Sequence, residues 1–216
     1  MGRVTEPPYT WRVAVETATT RPEGPSPPGA GLLGEKAALV PIKAFADAKR
    51  RLGTALSDED RQALVRRMAA RVLGAASPLA VAVVCDDTEV AAWARDRGAL
   101  VVWEPGRGLN GAVEAGVAHL AAMGVRTVVV AHGDLPRARG LAALGDPASV
   151  TLVPDRHGNG TNVIALPAHC GFRFSYGPGS FARHRAECER LGLPCRVLSP
   201  PGLAFDVDWP IDLEWA

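Results

Sequence analysis

The sequence lacks a pronounced charge of either sign, since 24 Lys and Arg oppose 23 Asp and Glu among 216 residues. A near-neutral chain gives no electrostatic reason to expect a nucleic-acid partner. Long hydrophobic runs are also missing, and the apolar stretches at 81–85 and 127–131 are far shorter than the ~20 residues of a membrane span. Because the first residues contain no signal-peptide core, we expect a soluble cytoplasmic protein without a membrane partner.

Cysteine and lysine are scarce as well. Four cysteines, at 85, 170, 188 and 195, show no CxxC spacing, so neither a zinc site nor a disulfide framework is indicated. The three lysines, Lys36, Lys43 and Lys49, lie close together, whereas every other basic residue is arginine. Lysine offers a compact point charge suited to phosphate oxygens. The cluster therefore indicates either a phosphate-binding segment or chance clustering on a solvated surface.

The first 35 residues are rich in Pro and Gly and show no sustained periodicity. We interpret residues 1–35 as a flexible N-terminal extension and residues 36–216 as one folded domain.

Short apolar strands alternate with helical patterns from residue 37 onward. Ser57 and Asp60 have the spacing of a capping box before an amphipathic helix. The expected strands are 37–43, 79–85, 99–103 and 125–131, and the expected later helices begin near Thr88 and span about 109–123. This rhythm predicts an α/β fold with a mainly parallel sheet, helices on both faces, and ligands beyond the carboxyl ends of the strands.

The second half of the chain has a different pattern. Strands are expected at 149–155 and 161–167, joined by a hairpin-like turn. A helix from about Ser180 to Leu191, a strand near 195–199 and an extended strand at 203–210 complete the prediction.

Asp134 follows the apolar run TVVVA within the sequence HGDLP. Gly133 lets a ligand approach the backbone closely, and Pro136 prevents the strand from continuing. A carboxylate at this point of an α/β sheet is a candidate for catalysis or metal binding. The alternative is a helix N-cap, since Asp before Leu-Pro suits that position too.

Asp206 and Asp208 lie in the segment FDVDWP. In an extended strand both side chains point to one face, where two charges ~5 Å apart repel by roughly 3 kcal/mol at an effective dielectric constant of ~20. A divalent metal would offset this repulsion, and oxygen ligands favour Mg²⁺. An exposed acidic edge strand is the alternative.

Two glycine-containing loops are candidate ligand sites. Gly177-Pro178-Gly179-Ser180 leads into a helix with Ser180 as the expected N-cap, and Arg183 and Arg185 in its first turn suggest an anion site or an ordinary capped turn. The loop at 104–116 completes neither the dinucleotide fingerprint nor a P-loop. Asn110 in this second loop could either bind a base edge or cap a helix.

Six segments together resemble one family, and they occur in order over about 37–213: VPIKAFADAKRRL, GLNGAVEAG, HGDLP, GNGTNVI, FSYGPGS and FDVDWPIDL. They resemble the guanylyltransferases that activate a phosphorylated three-carbon acid for biosynthesis of coenzyme F-420. The resemblance implies a nucleotidyltransferase fold of the sugar-nucleotide pyrophosphorylase type. It also implies GTP and phosphoenolpyruvate, 2-phospho-L-lactate or a phosphoglycerate as substrates.

The resemblance also implies roles for individual residues. The metal-binding acids would be Asp134, Asp206 and Asp208, with Mg²⁺ as the cofactor. The residues that hold the substrate phosphate would be Thr161, Gly177 and Ser180, and those that face the nucleotide would be Lys43, Lys49, Arg51 and Asn110. Gly179 stands where some members have an acidic residue, which leaves the preference for one phosphorylated acid substrate open.

We therefore predict a Mg²⁺-dependent guanylyltransferase in which Lys43 and Lys49 assist Asp134. The Ala- and Arg-rich composition is of the actinobacterial kind, and the resemblance implies phosphoenolpyruvate as the acid because actinobacterial relatives use it. The resemblance also implies the downstream transferase that accepts the unstable product as a partner. The alternatives are a molybdopterin or sugar-1-phosphate nucleotidyltransferase and a non-catalytic nucleotide-binding subunit. A glycine-rich loop after the first strand would favour the former, but that position holds VPIKAFADAK.

Overall fold

The computed structural model describes residues 33–215, so nearly all of the expected extension at 1–35 lies outside the described residues. Strands and helices alternate between Lys36 and Ala131. The strands are β1 (Lys36–Pro41), β2 (Ala80–Cys85), β3 (Leu100–Trp103), β4 (Thr127–Ala131), β5 (Val150–Pro154), β6 (Thr161–Pro167) and β7 (Cys195–Val197). The α-helices are α1 (Asp58–Ala75), α2 (Thr88–Arg95), α3 (Gly108–Ala122), α4 (Ser180–Leu191) and the single turn α5 (Pro201–Ala204).

The seven strands form one sheet in the order β3-β2-β1-β4-β6-β5-β7. Strand β6 is antiparallel to both β4 and β5, and the remaining pairings are parallel. The predicted mainly parallel α/β sheet is therefore confirmed, and β5 and β6 form the expected antiparallel hairpin. The carboxyl ends of β1 to β4 meet at one edge, which places the loops after them side by side.

Helices cover both faces of the sheet because the central strands are apolar on both. Along β1, Ala38 and Val40 pack into the core beneath α1 and α2, whereas Ala37 and Leu39 pack into the core beneath α3 and α4. This alternation follows the two-residue period of a strand. All four side chains are fully buried, so the middle of the sheet is a rigid support for the loops at its edge.

Ser57 caps α1 as its spacing predicts. Its Oγ accepts a hydrogen bond from Asp60 N at 3.1 Å and donates to the Asp60 carboxylate. This reciprocal pair satisfies one of the free N–H groups at the start of the helix.

The predicted strand at 203–210 is wrong. The segment begins within the single turn α5, continues without regular secondary structure over 205–208, and reaches the first residue of a short 3-10 helix, Pro210–Trp215. Pro201 is the first residue of α5, a position that suits proline because no intrahelical N–H bond is lost there.

Within residues 33–215, we find no helix with the length and apolar character needed to cross a membrane.

Candidate active site

A cavity of about 470 Å³ opens at the carboxyl ends of β1 to β4. Lys43 and Lys49 line it from the segment after β1, and His132 and Asp134 line it from the segment after β4. Val65 and Ala69 of α1 contribute apolar wall. The cavity thus lies where a doubly wound sheet places its ligands.

Asp134 lies three residues beyond the end of β4, in a turn that is not followed by a helix, so the N-cap alternative is wrong. Its Oδ2 accepts a hydrogen bond from Lys49 Nζ at 2.5 Å. Its Oδ1 is buried and has no hydrogen-bond partner in the described part of the chain. Burial raises the pKa of Asp134, but Lys49 and His132 outweigh this effect and hold the pKa below its usual value.

Lys49 joins Asp134 to Asp208. Its Nζ lies 2.7 Å from Asp208 Oδ1 as well, which links residues 159 positions apart in sequence. Burial lowers the pKa of Lys49, yet the charges of the two carboxylates and their hydrogen bonds raise it above its usual value. The ammonium group therefore stays charged.

The backbone around Lys49 is held in an unusual conformation. Lys49 has φ of 53°, the one positive φ outside glycine in the described residues. A left-handed residue with a side chain costs of order 1 kcal/mol and persists only where its surroundings impose it. The buried guanidinium of Arg61 donates to Ala48 O and thereby anchors this segment to α1. Residues held in such sparsely populated conformations are concentrated at functional sites.

Asp208 is positioned by a turn that hydrogen bonds to the Asp212 side chain hold in place. The buried Asp212 carboxylate accepts hydrogen bonds from Asp208 N and Trp209 N at 2.8 Å each, and Arg156 donates to it at 2.5 Å. Arg156 comes from the loop between β5 and β6, so the hairpin fixes the turn. Sequence reasoning missed both Asp212 and Arg156, although Asp212 lies within the quoted motif FDVDWPIDL.

Asp206 forms an acidic group with Asp134 and Asp208, whose charges act on it. Burial, followed by the charges of Asp134 and Asp208, raises its pKa to about 6. Among the described residues, Lys49 is the one cation whose charge lowers this pKa. When all three acids are ionised, one ammonium leaves two negative charges uncompensated.

This charge balance and the unpartnered Asp134 Oδ1 suit a divalent cation. Across residues 33–215, however, no three His, Cys, Asp or Glu side chains are grouped as a metal site, and Lys49 Nζ stands between Asp134 and Asp208. The donor set fits the metal chemically, and metal binding by the three acids stays a prediction.

The remaining residues expected to face the nucleotide have different surroundings. Lys43 is exposed at the cavity wall, whereas Arg51 lies over the Trp209 ring, 4.7 Å from its centroid. Asn110 is the third residue of α3, whose N-cap is Arg107, and it does not line the cavity. Its Oδ1 instead accepts a hydrogen bond from Tyr176 N at 2.7 Å. Nucleotide binding by these residues is untested.

The residues expected to hold the substrate phosphate lie on a separate side of the site. Thr161 and Ser180 are buried, with 3.5 Å between their hydroxyl oxygens, and His184 Nδ1 lies 3.0 Å from Thr161 Oγ1. Gly177 is exposed in the loop before α4. The expected cap is wrong, because Gly179 occupies the N-cap position and Ser180 is the first helical residue. Phosphate binding by Thr161, Gly177 and Ser180 stays a prediction.

The expected anion site at the start of α4 is occupied by protein groups. Arg183 donates to Pro178 O and Ser175 O, and Arg185 is exposed. Gly179 has φ of +73°, and a Cβ there would lie 3.2 Å from Arg183 Nη1. The left-handed backbone favours glycine, so an acid at this position would meet Arg183 but strain the chain.

Sequence reasoning also missed three cavity-lining residues, Asp86, Glu104 and His132. Asp86 and Glu104 directly follow β2 and β3, as Asp134 follows β4 closely. The rule that singled out Asp134 would have found them too, because polar residues at these strand ends reach the same edge of the sheet.

Comparison with known proteins gives a consistent result. A family model described as "Guanylyl transferase CofC like" matches residues 36–215. A phosphoenolpyruvate guanylyltransferase from Sphaerobacter thermophilus is 38% identical over 82% of this chain and 90% of its own length. The enzyme of the same name from Conexibacter woesei is 37% identical, over 82% and 85%.

Solved structures share the fold at low sequence identity. A protein assigned to the nucleotide-diphospho-sugar transferases from Desulfovibrio desulfuricans superimposes with a TM-score of 0.65 at 16% identity, covering 83% of this chain and 84% of its own. A cytidylyltransferase from Leptospira borgpetersenii gives a TM-score of 0.55 at 10% identity, covering 83% and 84%. The predicted nucleotidyltransferase fold is confirmed.

Proposed function

Because the chain belongs to the CofC-like guanylyl transferase family, we propose that it transfers GMP from GTP to phosphoenolpyruvate in coenzyme F-420 biosynthesis. The names of the relatives support phosphoenolpyruvate as the acceptor, and the family description supports a guanine nucleotide as the donor. The observation that carries the proposal is the convergence of Asp134 and Asp208 on Lys49 at the edge of a cavity of about 470 Å³.

The chemistry requires no side-chain nucleophile. A phosphate oxygen of phosphoenolpyruvate forms a bond to the α-phosphorus of GTP. The bond from that phosphorus to the oxygen of the β,γ-diphosphate breaks, and pyrophosphate leaves with the electron pair. Catalysis then consists of alignment and stabilisation of charge.

Lys49 and Lys43 carry out the electrostatic part of the reaction. Lys49 is fixed by two carboxylates and a strained backbone, so its charge is preorganised at the reaction centre. Lys43 is exposed at the cavity wall and can follow the triphosphate. Asp134, Asp206 and Asp208 would hold Mg²⁺, which when bound polarises the α-phosphate and offsets its developing charge.

The phosphorylated acid binds on the side of β6 and α4, near Thr161, Gly177 and Ser180. The hydroxyls of Thr161 and Ser180 are buried, and Gly177 is exposed beside them, where its carbonyl oxygen accepts a hydrogen bond from Ser180 N at 3.0 Å. The product is an activated diphosphate, and a downstream transferase that accepts it is the proposed partner.

Pyrophosphate release with GTP tests the proposal. We expect turnover with phosphoenolpyruvate that exceeds turnover with 2-phospho-L-lactate or 3-phosphoglycerate, and that stops when the divalent metal is chelated. Asp134→Asn should reduce the rate by at least about 100-fold, while the exposed Asp96→Asn should match the parent. Failure with all three acids, together with turnover of a sugar 1-phosphate or a pterin, would transfer the assignment to the related nucleotidyltransferases.

A further inference from the structure

The far wall of the cavity carries two acids that the proposed phosphoryl chemistry does not use. Asp86 and Glu104 line the cavity from the ends of β2 and β3. Cys85 pairs with Trp103 in the parallel register, and Glu104 N donates to Cys85 O at 3.0 Å. The two acids are therefore neighbours, on the opposite side of the cavity from Asp134.

Their separation from the reaction centre suits a nucleotide. The strand order places β3 three positions away from β4. At about 4.8 Å per strand, this gives about 14 Å between the two ends of the cavity, the scale of an extended nucleoside monophosphate. With the α-phosphate near Asp134, the base reaches the wall formed by β2 and β3.

An apolar surface adjoins the acids. Leu109, in the first turn of α3, lines the cavity and is 43% exposed, and Ala112 lines it one turn further on. An exposed leucine beside a cavity offers a flat apolar contact for the face of a base ring. This surface is independent of the carboxylates and would accept a planar ring at the same place.

Glu104 is better organised than Asp86 to read the edge of the base. Its Oε2 lies 2.7 Å from Arg107 Nε, and its side chain is 23% exposed. Asp86 is exposed and has no hydrogen-bond or ion-pair partner in the described part of the chain. A carboxylate has about four acceptor positions, so the bond to Arg107 leaves Glu104 able to accept two more.

We propose that Glu104 selects guanine by accepting hydrogen bonds from N1–H and the 2-amino group of the base. Guanine presents these two donors side by side, which matches the two oxygens of a carboxylate. Adenine presents an acceptor at N1, which the carboxylate repels. This inference deepens the proposed function, since it explains why a guanylyl rather than an adenylyl group is transferred.

The test measures calorimetric affinities for GTP and inosine triphosphate, which lacks only the 2-amino group. The parent should bind GTP about 10-fold more tightly than the inosine nucleotide. In Glu104→Gln, GTP affinity should fall by about 10- to 100-fold and the preference should nearly disappear, while binding of ATP relative to GTP rises. Glu104→Asp keeps the carboxylate and should retain part of the preference, and the exposed Glu59→Gln is the matched control.

A folded Glu104→Gln variant that keeps the GTP preference of the parent would overturn the assignment. So would loss of that preference in Asp86→Asn instead. Because binding is measured apart from turnover, a parent that prefers GTP through Glu104 yet releases no pyrophosphate would contradict the proposed function and leave the base-recognition inference standing.

Discussion

His184 is expected to make the stability of the protein depend on pH between 7 and 5. The side chain is fully buried, and its Nε2 accepts a hydrogen bond from Ser175 N at 3.0 Å. The ring must therefore carry its proton on Nδ1, which faces Thr161 Oγ1. Protonation of Nε2 would direct a second donor at the Ser175 N–H, so the folded state strongly favours the neutral imidazole.

The magnitude follows from the pKa of His184. Burial, with the charge of Arg183, lowers it from 6.5 to about 4. The unfolded chain thus binds a proton below pH 6.5 that the folded chain refuses until about pH 4, and stability falls as the pH falls through this window. At about 1.4 kcal/mol per pH unit, the loss between pH 7 and pH 5 is about 2 kcal/mol.

The assay is urea unfolding of the parent and of His184→Gln at pH 7 and pH 5. The variant cannot titrate at this position, so its loss of stability should be smaller than that of the parent by about 2 kcal/mol. Exposed His169→Gln should follow the parent. Equal losses in the parent and in His184→Gln would refute the reasoning.

Comparison with a variant is necessary because Asp206 changes the stability with pH in the sense opposite to His184. Its pKa is raised from 3.8 to about 6, so the folded state binds a proton that the unfolded state has released. This contribution weakens as the pH rises from 3.8 to about 6, whereas that of His184 strengthens. The pH profile of the parent alone would mix the two.

Further predictions concern Lys49 and the packing around the sheet. Lys49→Met should lower guanylyl transfer by at least about 100-fold with the fold intact, as judged by circular dichroism. Gly116→Ala should destabilise the protein by about 1–3 kcal/mol in urea, because the added Cβ would lie 2.8 Å from Leu39 Cδ2. Gly74→Ala is the matched control: its added Cβ would meet no atom within 4 Å, so this variant should be more stable by about 0.5 kcal/mol. Ser57→Ala should cost about 1 kcal/mol in the same assay, because α1 loses its cap.

The alternation of strands and helices was predictable because its signals are local. Apolar β-branched runs become strands wherever the sheet buries both faces, and Ser57 with Asp60 marks the start of α1 without help from distant residues. Sequence spacing therefore places β1 to β6 within a few residues of their observed bounds.

The strand predicted at 203–210 is absent because contacts with residues outside this segment replace strand pairing. Phe205-Asp206-Val207-Asp208 alternates as a strand does, but a strand needs a neighbour to accept its N–H groups. Here Asp212 accepts those of Asp208 and Trp209, and Arg156 fixes Asp212 from another loop. Nothing in the alternation reveals that competing acceptor.

Ser180 was assigned wrongly for a related reason. A serine before a helical run favours the N-cap, but Gly179 adopts the left-handed backbone and takes that position. The hydroxyl of Ser180 then turns toward Thr161, which lies on β6. Packing between α4 and the sheet, which the spacing does not encode, decides the outcome.

The acidic group combines supports of different kinds, and this explains why its members behave differently. Asp134 follows a strand whose residues are all buried, whereas Asp208 depends on the turn that Asp212 and Arg156 hold. Lys49 ties the two together across the cavity edge. Burial raises the pKa of Asp206, and the charges of Asp134 and Asp208 raise it further because one lysine cannot neutralise three carboxylates. The same deficit of positive charge suits the site to a divalent cation beside a triphosphate.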